Sequence, residues 1–327
     1  MCHAQGPGEY YALDTGTHQV LCASPELFFS LAGGRITMRP MKGTWSRGRW
    51  PEEDQARAQE LRHSEKDRAE NLMIVDMVRN DLGRIAEPGT VSVEELFSVE
   101  RYETVWQMTS TVSAQTRAGL TGIFGALFPC ASVTGAPKLE TMRIIRELEP
   151  EPRGVYCGAV GWWGPGEQGR FSVGIRTAVH DKAARKLRYH VGSGITWDST
   201  ANEEYRECMQ KAAVLTQRRP QFELLETLLW EAGNFFLCER HLSRLRESAD
   251  YFGFHHPEES IRDLLEKQRK TLLDVPRARV RLLLSRTGVA RVEASPLDVV
   301  PAPSLRVALA TAPVDNSDIF LYHKTTH

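Results

Sequence analysis

VTGAPKLETMRIIRELEP, residues 133–150, sets a loop of small residues in front of Pro137 and then places Met142, Ile145 and Leu148 three apart. Apolar residues at that spacing behind a proline predict a helix that starts at Pro137 and keeps one apolar face. Three runs of strand-forming residues follow: VYCGAVGWW (155–163), FSVGIRTAV (171–179) and KLRYHVGSGI (186–195). A further helix is predicted over 198–215, behind a glycine-rich turn. One helix followed by three strands with no helix between them is not a βαβ repeat, so the pattern predicts a mixed α+β domain.

Upstream, VSVEELFSVERYETVWQMTSTVSAQ (91–115) reads as strand, and before it a long helix is predicted over 51–81. Pro51 opens that helix, Gly83 stops it, and Leu61, Leu72 and Val75 mark its apolar face. The segment 10–44 reads as strands YYALD, HQVLCAS and GRITMRP, divided by turn signals at Thr15-Gly16 and Gly33-Gly34. At TQRRPQ (216–221) charge and a proline interrupt the apolar pattern, which sets a domain boundary between 1–218 and 221–327. The second segment has predicted helices over 240–252 and 257–273 and ends in the apolar, strand-like run FLYHKTTH. Beginning inside one sheet pattern and ending inside another, the sequence looks cut at both ends.

The composition is that of an ordinary folded chain. Among 327 residues, 41 Lys and Arg meet 42 Asp and Glu for a net charge of -1, which excludes the basic footprint of a nucleic-acid binder. Apolar residues are 41% and charged residues 25%, far from the composition of disordered chains. No apolar stretch approaches the ~20 residues of a membrane span, and MCHAQGPGEYY lacks the features of a signal peptide, so no membrane partner and a cytoplasmic location are expected. Cys2, Cys22, Cys130, Cys157, Cys208 and Cys238 form no C-x-x-C pair, which predicts reduced, mostly buried thiols with no zinc site.

Several residues carry chemistry. Lys42 lies in RPMKGT, between a strand and a glycine; a lysine there is ordinarily a solvated charge, and a lysine amine attacks only after losing its proton. Glu204 and Glu207, three apart on a predicted helix, share a face and could offer oxygens to Mg²⁺, although such a pair is more often a solvated acidic face. Glu70 lies in KDRAENLMIVDMVRND. The TGAPK loop (Thr134, Gly135) and the GSG turn (Gly192, Ser193, Gly194) have small residues that let backbone N–H groups approach an anion. Arg176, in the predicted strand GIRT among apolar residues, suits a bidentate carboxylate partner, and Tyr156 lies twenty residues before it.

Taken in order, SPELF, RPMKGT, KDRAENLMIVDMVRNDLGRI, SVTGAPKLETMRII, YCGAVGWW, SVGIRT and GSGITWDSTANEEYRE resemble the chorismate-utilising enzymes. That family comprises anthranilate, isochorismate and salicylate synthases and the synthase component of aminodeoxychorismate synthase. The resemblance implies an anthranilate synthase component I-like sheet-and-helix domain. It also implies Mg²⁺ ligands at Glu70 and Glu207 with Glu204 beside them, the metal neutralising the ring carboxylate of chorismate. Arg176 and Tyr156 fall on positions that hold the enolpyruvyl carboxylate, and the backbone around Thr134, Gly135 and Gly192 to Gly194 lines the same pocket.

Within the family the position of Lys42 separates the chemistries. Anthranilate synthases resemble P-I-A-G-T here and aminodeoxychorismate synthases P-I-K-G-T, so RPMKGT is similar to the latter. The resemblance implies that Lys42 attacks C2 of chorismate, the C4 hydroxyl leaves with a proton from Glu26, and ammonia adds at C4 and expels the lysine, giving 4-amino-4-deoxychorismate. Many relatives have a histidine, tied to pyruvate elimination, where this chain has Gln107; glutamine cannot act as a base, in keeping with a product that retains its enolpyruvyl group. Ammonia would come from a glutamine amidotransferase partner. The alternatives are an anthranilate synthase component I and a non-catalytic piece that binds the amidotransferase.

Residues 222–327 resemble fold-type IV pyridoxal-phosphate enzymes, aminodeoxychorismate lyase among them. FELLETLLWEAGNFFLCERHLSRLRESADYFGF is similar to their entry region, which implies that Arg244 meets the cofactor phosphate. FLYHKTTH is similar to the segment with the cofactor-bearing lysine, which implies that role for Lys324. The resemblance covers part of an α/β fold, so little pyridoxal-phosphate binding is expected from these residues alone. A fusion of the two steps toward 4-aminobenzoate and folate is implied.

Overall fold

Short strands separated by tight glycine turns leave the first forty-odd residues little choice but antiparallel sheet. In the computed structural model, which describes residues 8–197, 199–216, 220–297 and 307–327, they form β1 (Glu9–Asp14), β2 (His18–Ser24), β3 (Leu27–Ala32), β4 (Arg35–Arg39) and β5 (Met41–Ser46). Gly16, Gly33 and Gly34 take positive φ in the turns, where a side chain would be strained. The segment LFFSLA, absent from the sequence-based strands, is β3: apolar on both faces, it shows none of the alternation that marks a half-buried strand.

The single helix expected over 51–81 is two, α1 (Pro51–His63) and α2 (Glu65–Gly83). Ser64 breaks it, with extended backbone and a hydroxyl that accepts from the Asp67 amide as an N-cap. The apolar face also differs: Leu61 and Val75 are buried, but Leu72 is exposed, and Ile74, Val78 and Leu82 complete the buried side of α2. β6 (Ser92–Arg101) and β7 (Val105–Gln115) follow, then α3 (Leu120–Leu127), a short turn of 3-10 helix at Ala131–Val133, and α4 (Lys138–Leu148). Pro137 caps α4 as expected, yet none of its residues is buried; Leu139 and Leu148 are 74% and 77% exposed.

β8 (Ala159–Gly164), β9 (Gln168–Val173), β10 (Thr177–Asp181) and β11 (Lys186–Tyr189) lead to α5 (Ala201–Thr216). The run 171–179 is therefore interrupted, and Arg176 occupies the break between β9 and β10 with φ 48° instead of lying in a strand. One sheet has the order β5-β7-β4-β3-β9-β8 with β6 also paired to β7; a second has β1-β2-β10-β11. Every ladder is antiparallel. Ile74, Val75, Val78 and Leu82 of α2 and Ile123, Ala126 and Leu127 of α3 bury themselves on Phe28, Phe29, Ile36, Met38 and Val112 of the larger sheet.

The chain divides into two compact units, Met1–Arg47 with Arg57–Arg219, and Gly48–Ala56 with Pro220–His327. In the second, β12 (Leu224–Glu231) and β13 (Asn234–Phe235) precede α6 (Cys238–Phe252) and α7 (Glu258–Thr271), and β14 (Arg277–Leu284) and β15 (Ala290–Pro296) complete the antiparallel order β13-β12-β14-β15. Leu224, Leu228, Trp230, Val280 and Leu282 pack there against Leu242, Leu245, Ile261 and Leu265. The terminal FLYHKTTH is not a strand: Ile319–Leu321 form a 3-10 turn, and Thr325 alone bridges to Leu224.

Among the described residues no single helix is long and apolar enough to cross a membrane. Cys22, Cys130 and Cys157 are buried thiols, Cys208 and Cys238 are half-buried thiols, and Cys2 lies outside the described residues. Burial pushes the Cys130 thiol up to about 12, which leaves it inert as a nucleophile at neutral pH.

Candidate active site

The turn Gly192-Ser193-Gly194 gathers the first unit's chemistry. A methyl placed on Gly194 would lie 2.6 Å from the Lys42 Nζ, and one on Gly192 would lie 2.6 Å from the Tyr156 hydroxyl. Lys211 of α5 donates to the Gly192 carbonyl at 2.9 Å and pairs with Glu207 at 2.6 Å. Ser193 and Ser199 both hydrogen-bond Glu204 and hold its carboxyl below the usual carboxylate range. The small residues thus allow an amine, a phenol and a helix carrying two carboxylates to converge on one backbone turn.

Lys42 reaches that turn from a β-bulge. In the β5/β7 ladder Met41 faces Thr109 and Thr44 faces Gln107, so Lys42 and Gly43 together oppose Met108. Gly43 has φ +91°, and a methyl there would sit 3.0 Å from the Asp67 Cβ, so the bulge is both left-handed and pressed against the first turn of α2. Trp45 fastens the same place by donating to Asp67 at 3.1 Å.

Glu26 follows Pro25 in the β2–β3 connection and is buried. Its amide donates to Ser24 Oγ, and its carbonyl accepts from Val173, which fixes the backbone. Burial raises its carboxyl to about 7 against the opposing pull of Ser132, the Lys42 ammonium and the Met41 amide. Its Oε1 is buried without a hydrogen-bond partner. An acid that is half protonated at neutral pH, within electrostatic reach of an amine, is equipped to give up a proton.

Tyr156 sits in the turn before β8 rather than in the strand expected over 155–163; burial raises its hydroxyl above the ordinary tyrosine range. Arg176 is half-buried, burial lowers its guanidinium, and Tyr189, Tyr102 and Tyr10 act on it electrostatically. Tyr102 is also within electrostatic reach of Glu26, which links this group to the Lys42 side of the site. Thr134 turns its hydroxyl inward, donating to the Cys130 carbonyl at 3.0 Å, and Gly135 takes φ +145° against Thr141. Ser132, just before this loop, is the residue that reaches Glu26; sequence reasoning missed it because nothing local marks it.

The three candidate metal ligands are not assembled as one cluster. No group of three or more His, Cys, Asp and Glu placed to hold a metal occurs among the described residues. Glu207 is paired with Lys211, whereas Glu204 keeps Oε2 buried and unpartnered. Glu70 is one helical turn along α2 from Lys66, whose charge acts on Glu204. Mg²⁺ commonly takes one or two carboxylates together with substrate oxygens, so an orphaned carboxylate oxygen beside the GSG turn fits such an ion.

A profile of the family described as chorismate binding enzyme matches residues 2–217. The chain belongs to this family. Residues 223–327 match the family described as amino-transferase class IV, so a chorismate binding segment is joined to a class IV aminotransferase-like one. Aminodeoxychorismate synthase component 1 of Bacillus subtilis is 43% identical over 209 residues, 63% of this chain and 44% of that protein. Aminodeoxychorismate synthase of Streptomyces griseus is 45% identical over 218 residues, 66% of this chain and 29% of that protein. Anthranilate synthase component 1 of Aquifex aeolicus is 42% identical over 212 residues, 64% and 42% of the two chains. Among solved structures, anthranilate synthase component I from Streptococcus pneumoniae superposes with a TM-score of 0.58 at 36% identity, covering 64% of this chain and 46% of that one. The chain thus spans less than half the length of these relatives.

In the class IV segment, Arg244 of α6 donates through two nitrogens to the buried Glu226 of β12, at 2.7 and 2.5 Å, and His241 meets the same carboxylate at 2.7 Å. The Lys324 carbonyl accepts from the Leu225 amide, so the two residues expected to hold the cofactor both attach to β12. Arg244 stays half exposed, with a guanidinium oriented by a carboxylate, which suits a phosphate contact.

Proposed function

We propose that the first unit is an aminodeoxychorismate synthase that converts chorismate and ammonia to 4-amino-4-deoxychorismate. The observation that carries this reading is Lys42 Nζ against Gly194, within electrostatic reach of a Glu26 carboxyl raised to about 7. The Lys42 ammonium first releases a proton to solvent; the free amine then forms the bond to C2 of chorismate as Glu26 gives its proton to the C4 hydroxyl, which departs as water. Ammonia then bonds to C4, the C2–nitrogen bond breaks and the surplus proton passes to solvent. Tyr156 and Arg176 bind the enolpyruvyl carboxylate, and the backbone of Thr134, Gly135 and Gly192 to Gly194 lines the pocket. Glu204, Glu207 and Glu70, which the fold does not assemble as one cluster, are the residues that would hold Mg²⁺, and the ion would supply charge neutralisation for the ring carboxylate.

Ammonia is delivered by a glutamine amidotransferase partner, and the reaction belongs to cytoplasmic 4-aminobenzoate and folate synthesis. The class IV segment would contribute to an aminodeoxychorismate lyase, in which Arg244 would bind the phosphate of pyridoxal phosphate and Lys324 would carry the cofactor once the rest of that fold is present. The cofactor would supply an electron sink, and Glu226 and His241 orient the arginine that would meet it.

Anthranilate synthase chemistry is the second reading, favoured by the 42% identical Aquifex relative and opposed by Lys42 and Gln107. Product chromatography separates the two, with chorismate, Mg²⁺ and a high concentration of ammonium salt. Accumulation of 4-amino-4-deoxychorismate without anthranilate is the expected result; anthranilate as the product would replace the first reading with the second.

A further inference from the structure

We infer that Gln107 is a positioning residue that locks the β-bulge beneath Lys42 and so sets the direction of the amine. A bulge takes backbone groups out of the ladder, and here the two residues removed are Lys42 and Gly43. Gln107, buried on β7, reaches across to the following residues. Its Nε2 donates to the Gly43 carbonyl at 2.9 Å, and its Oε1 accepts from Thr44 Oγ1 at 2.7 Å. One side chain thereby replaces a missing ladder hydrogen bond and fixes the strand immediately beyond it.

The chemistry asks for an amide. The Gly43 carbonyl needs a donor and the Thr44 hydroxyl needs an acceptor, and glutamine offers both ends at one length. A carboxylate has no donor for the carbonyl, and a thioether offers neither group in useful strength. A second buried amide stands behind the first: Asn71 accepts from Ser110 Oγ at 2.6 Å and directs Nδ2 toward the Lys42 carbonyl at a long 3.5 Å. With the Asn71 contact this long, Gln107 is the closer hold on the bulge.

The clamp concerns the same amine as the proposed synthase chemistry and rests on that reading for its catalytic meaning, but its test does not need chorismate. Trace acylation with acetic anhydride, read by peptide mass spectrometry, compares the labelling of Lys42 with that of the exposed Lys186 in the same molecules. In Gln107→Met the Lys42-to-Lys186 ratio is expected to shift several-fold with Lys186 itself unchanged. Thr44→Val, at an exposed position that leaves the core intact, is expected to shift it in the same direction by less, and Thr44→Ser to restore the wild-type ratio.

Unchanged labelling in folded Gln107→Met and in Thr44→Val would overturn the inference. Turnover with ammonia supplies the second readout: kcat falls by about 100-fold in Gln107→Met with little change in KM, as a misdirected nucleophile requires. A labelling shift in enzyme that makes no 4-amino-4-deoxychorismate even as wild type supports the clamp and removes the synthase reading. A rise in KM with kcat unchanged would make Gln107 a substrate contact and overturn the positioning role.

Discussion

Gly194 and Lys42 share one van der Waals boundary: any β-carbon on the glycine would occupy space 2.6 Å from the amine. The atom in the way is the tip of a flexible chain, so Gly194→Ala should leave the fold and Tm essentially unchanged while Lys42 swings aside. Turnover should fall by about 100-fold, the scale of loss that a displacement near 1 Å causes. Steady-state kinetics beside thermal melting check this; an alanine variant with normal kcat would show that Lys42 is not placed by the turn.

Glu26 makes the molecule sensitive to pH in a defined direction. Its carboxyl lies at about 7 in the fold, above an ordinary value of 4.5, because burial penalises the charged form. Below the lower value both folded and unfolded chains hold the proton and the group's contribution is complete; as pH rises the unfolded chain ionises first, and stability is lost through about 7. The total is about 3 kcal/mol. Denaturant unfolding of wild type and Glu26→Gln between pH 5 and 8.5 should therefore diverge, the glutamine variant lacking this slope. Activity, which needs the protonated acid, should decline above neutral pH in the wild type and be nearly absent in Glu26→Gln.

Mg²⁺ should stabilise the first unit through Glu204. With chorismate present, raising Mg²⁺ to about 100 times its Kd should add about 2.7 kcal/mol, seen as an upward shift in Tm. Glu204→Ala removes the carboxylate whose Oε2 has no partner in the fold, and should abolish that shift while lowering metal-free stability only by the loss of the Ser193 and Ser199 hydrogen bonds. A full Mg²⁺ response in Glu204→Ala would assign the ion elsewhere.

The parts of this site that were readable in the sequence are those whose chemistry sits in short ordered motifs. Lys42 before a glycine, the GSG turn and the Glu204–Glu207 spacing are each weak signals alone and gain a role only from the order of motifs shared with the family; the structure draws Lys42, Tyr156 and Glu204 around that turn. Ser132 beside Glu26 and the hold of Gln107 on Gly43 are made by residues remote in sequence, and periodicity says nothing about such pairs. The fold shows the same division. The positions of most strands and helices followed from turn signals and proline, but the antiparallel pairing and the helix Leu120–Leu127 did not, and a single N-cap at Ser64 divided a helix that composition alone would have continued. α4 has the expected apolar stripe and still buries nothing, because an amphipathic pattern specifies a face without specifying what covers it. Gly48–Ala56, grouped with the second unit, has no local signal of that association.

The Glu226–Arg244 pair should respond unequally to loss of either partner. Glu226 is almost wholly buried, whereas the Arg244 side chain is 49% exposed. Arg244→Met leaves a buried carboxylate with His241 as its remaining partner among the described contacts, and should destabilise the second unit by about 3 kcal/mol. Glu226→Gln leaves a guanidinium that can turn to solvent and an amide oxygen that still accepts from it, so its cost should be nearer 1 kcal/mol. Urea dependence of hydrogen exchange at the β12 and β14 amides of the same core measures both without signal from the first unit. A loss of about 1 kcal/mol or less in Arg244→Met would mean that His241 alone satisfies the buried carboxylate, and that Arg244 is free to serve a bound phosphate without a structural duty.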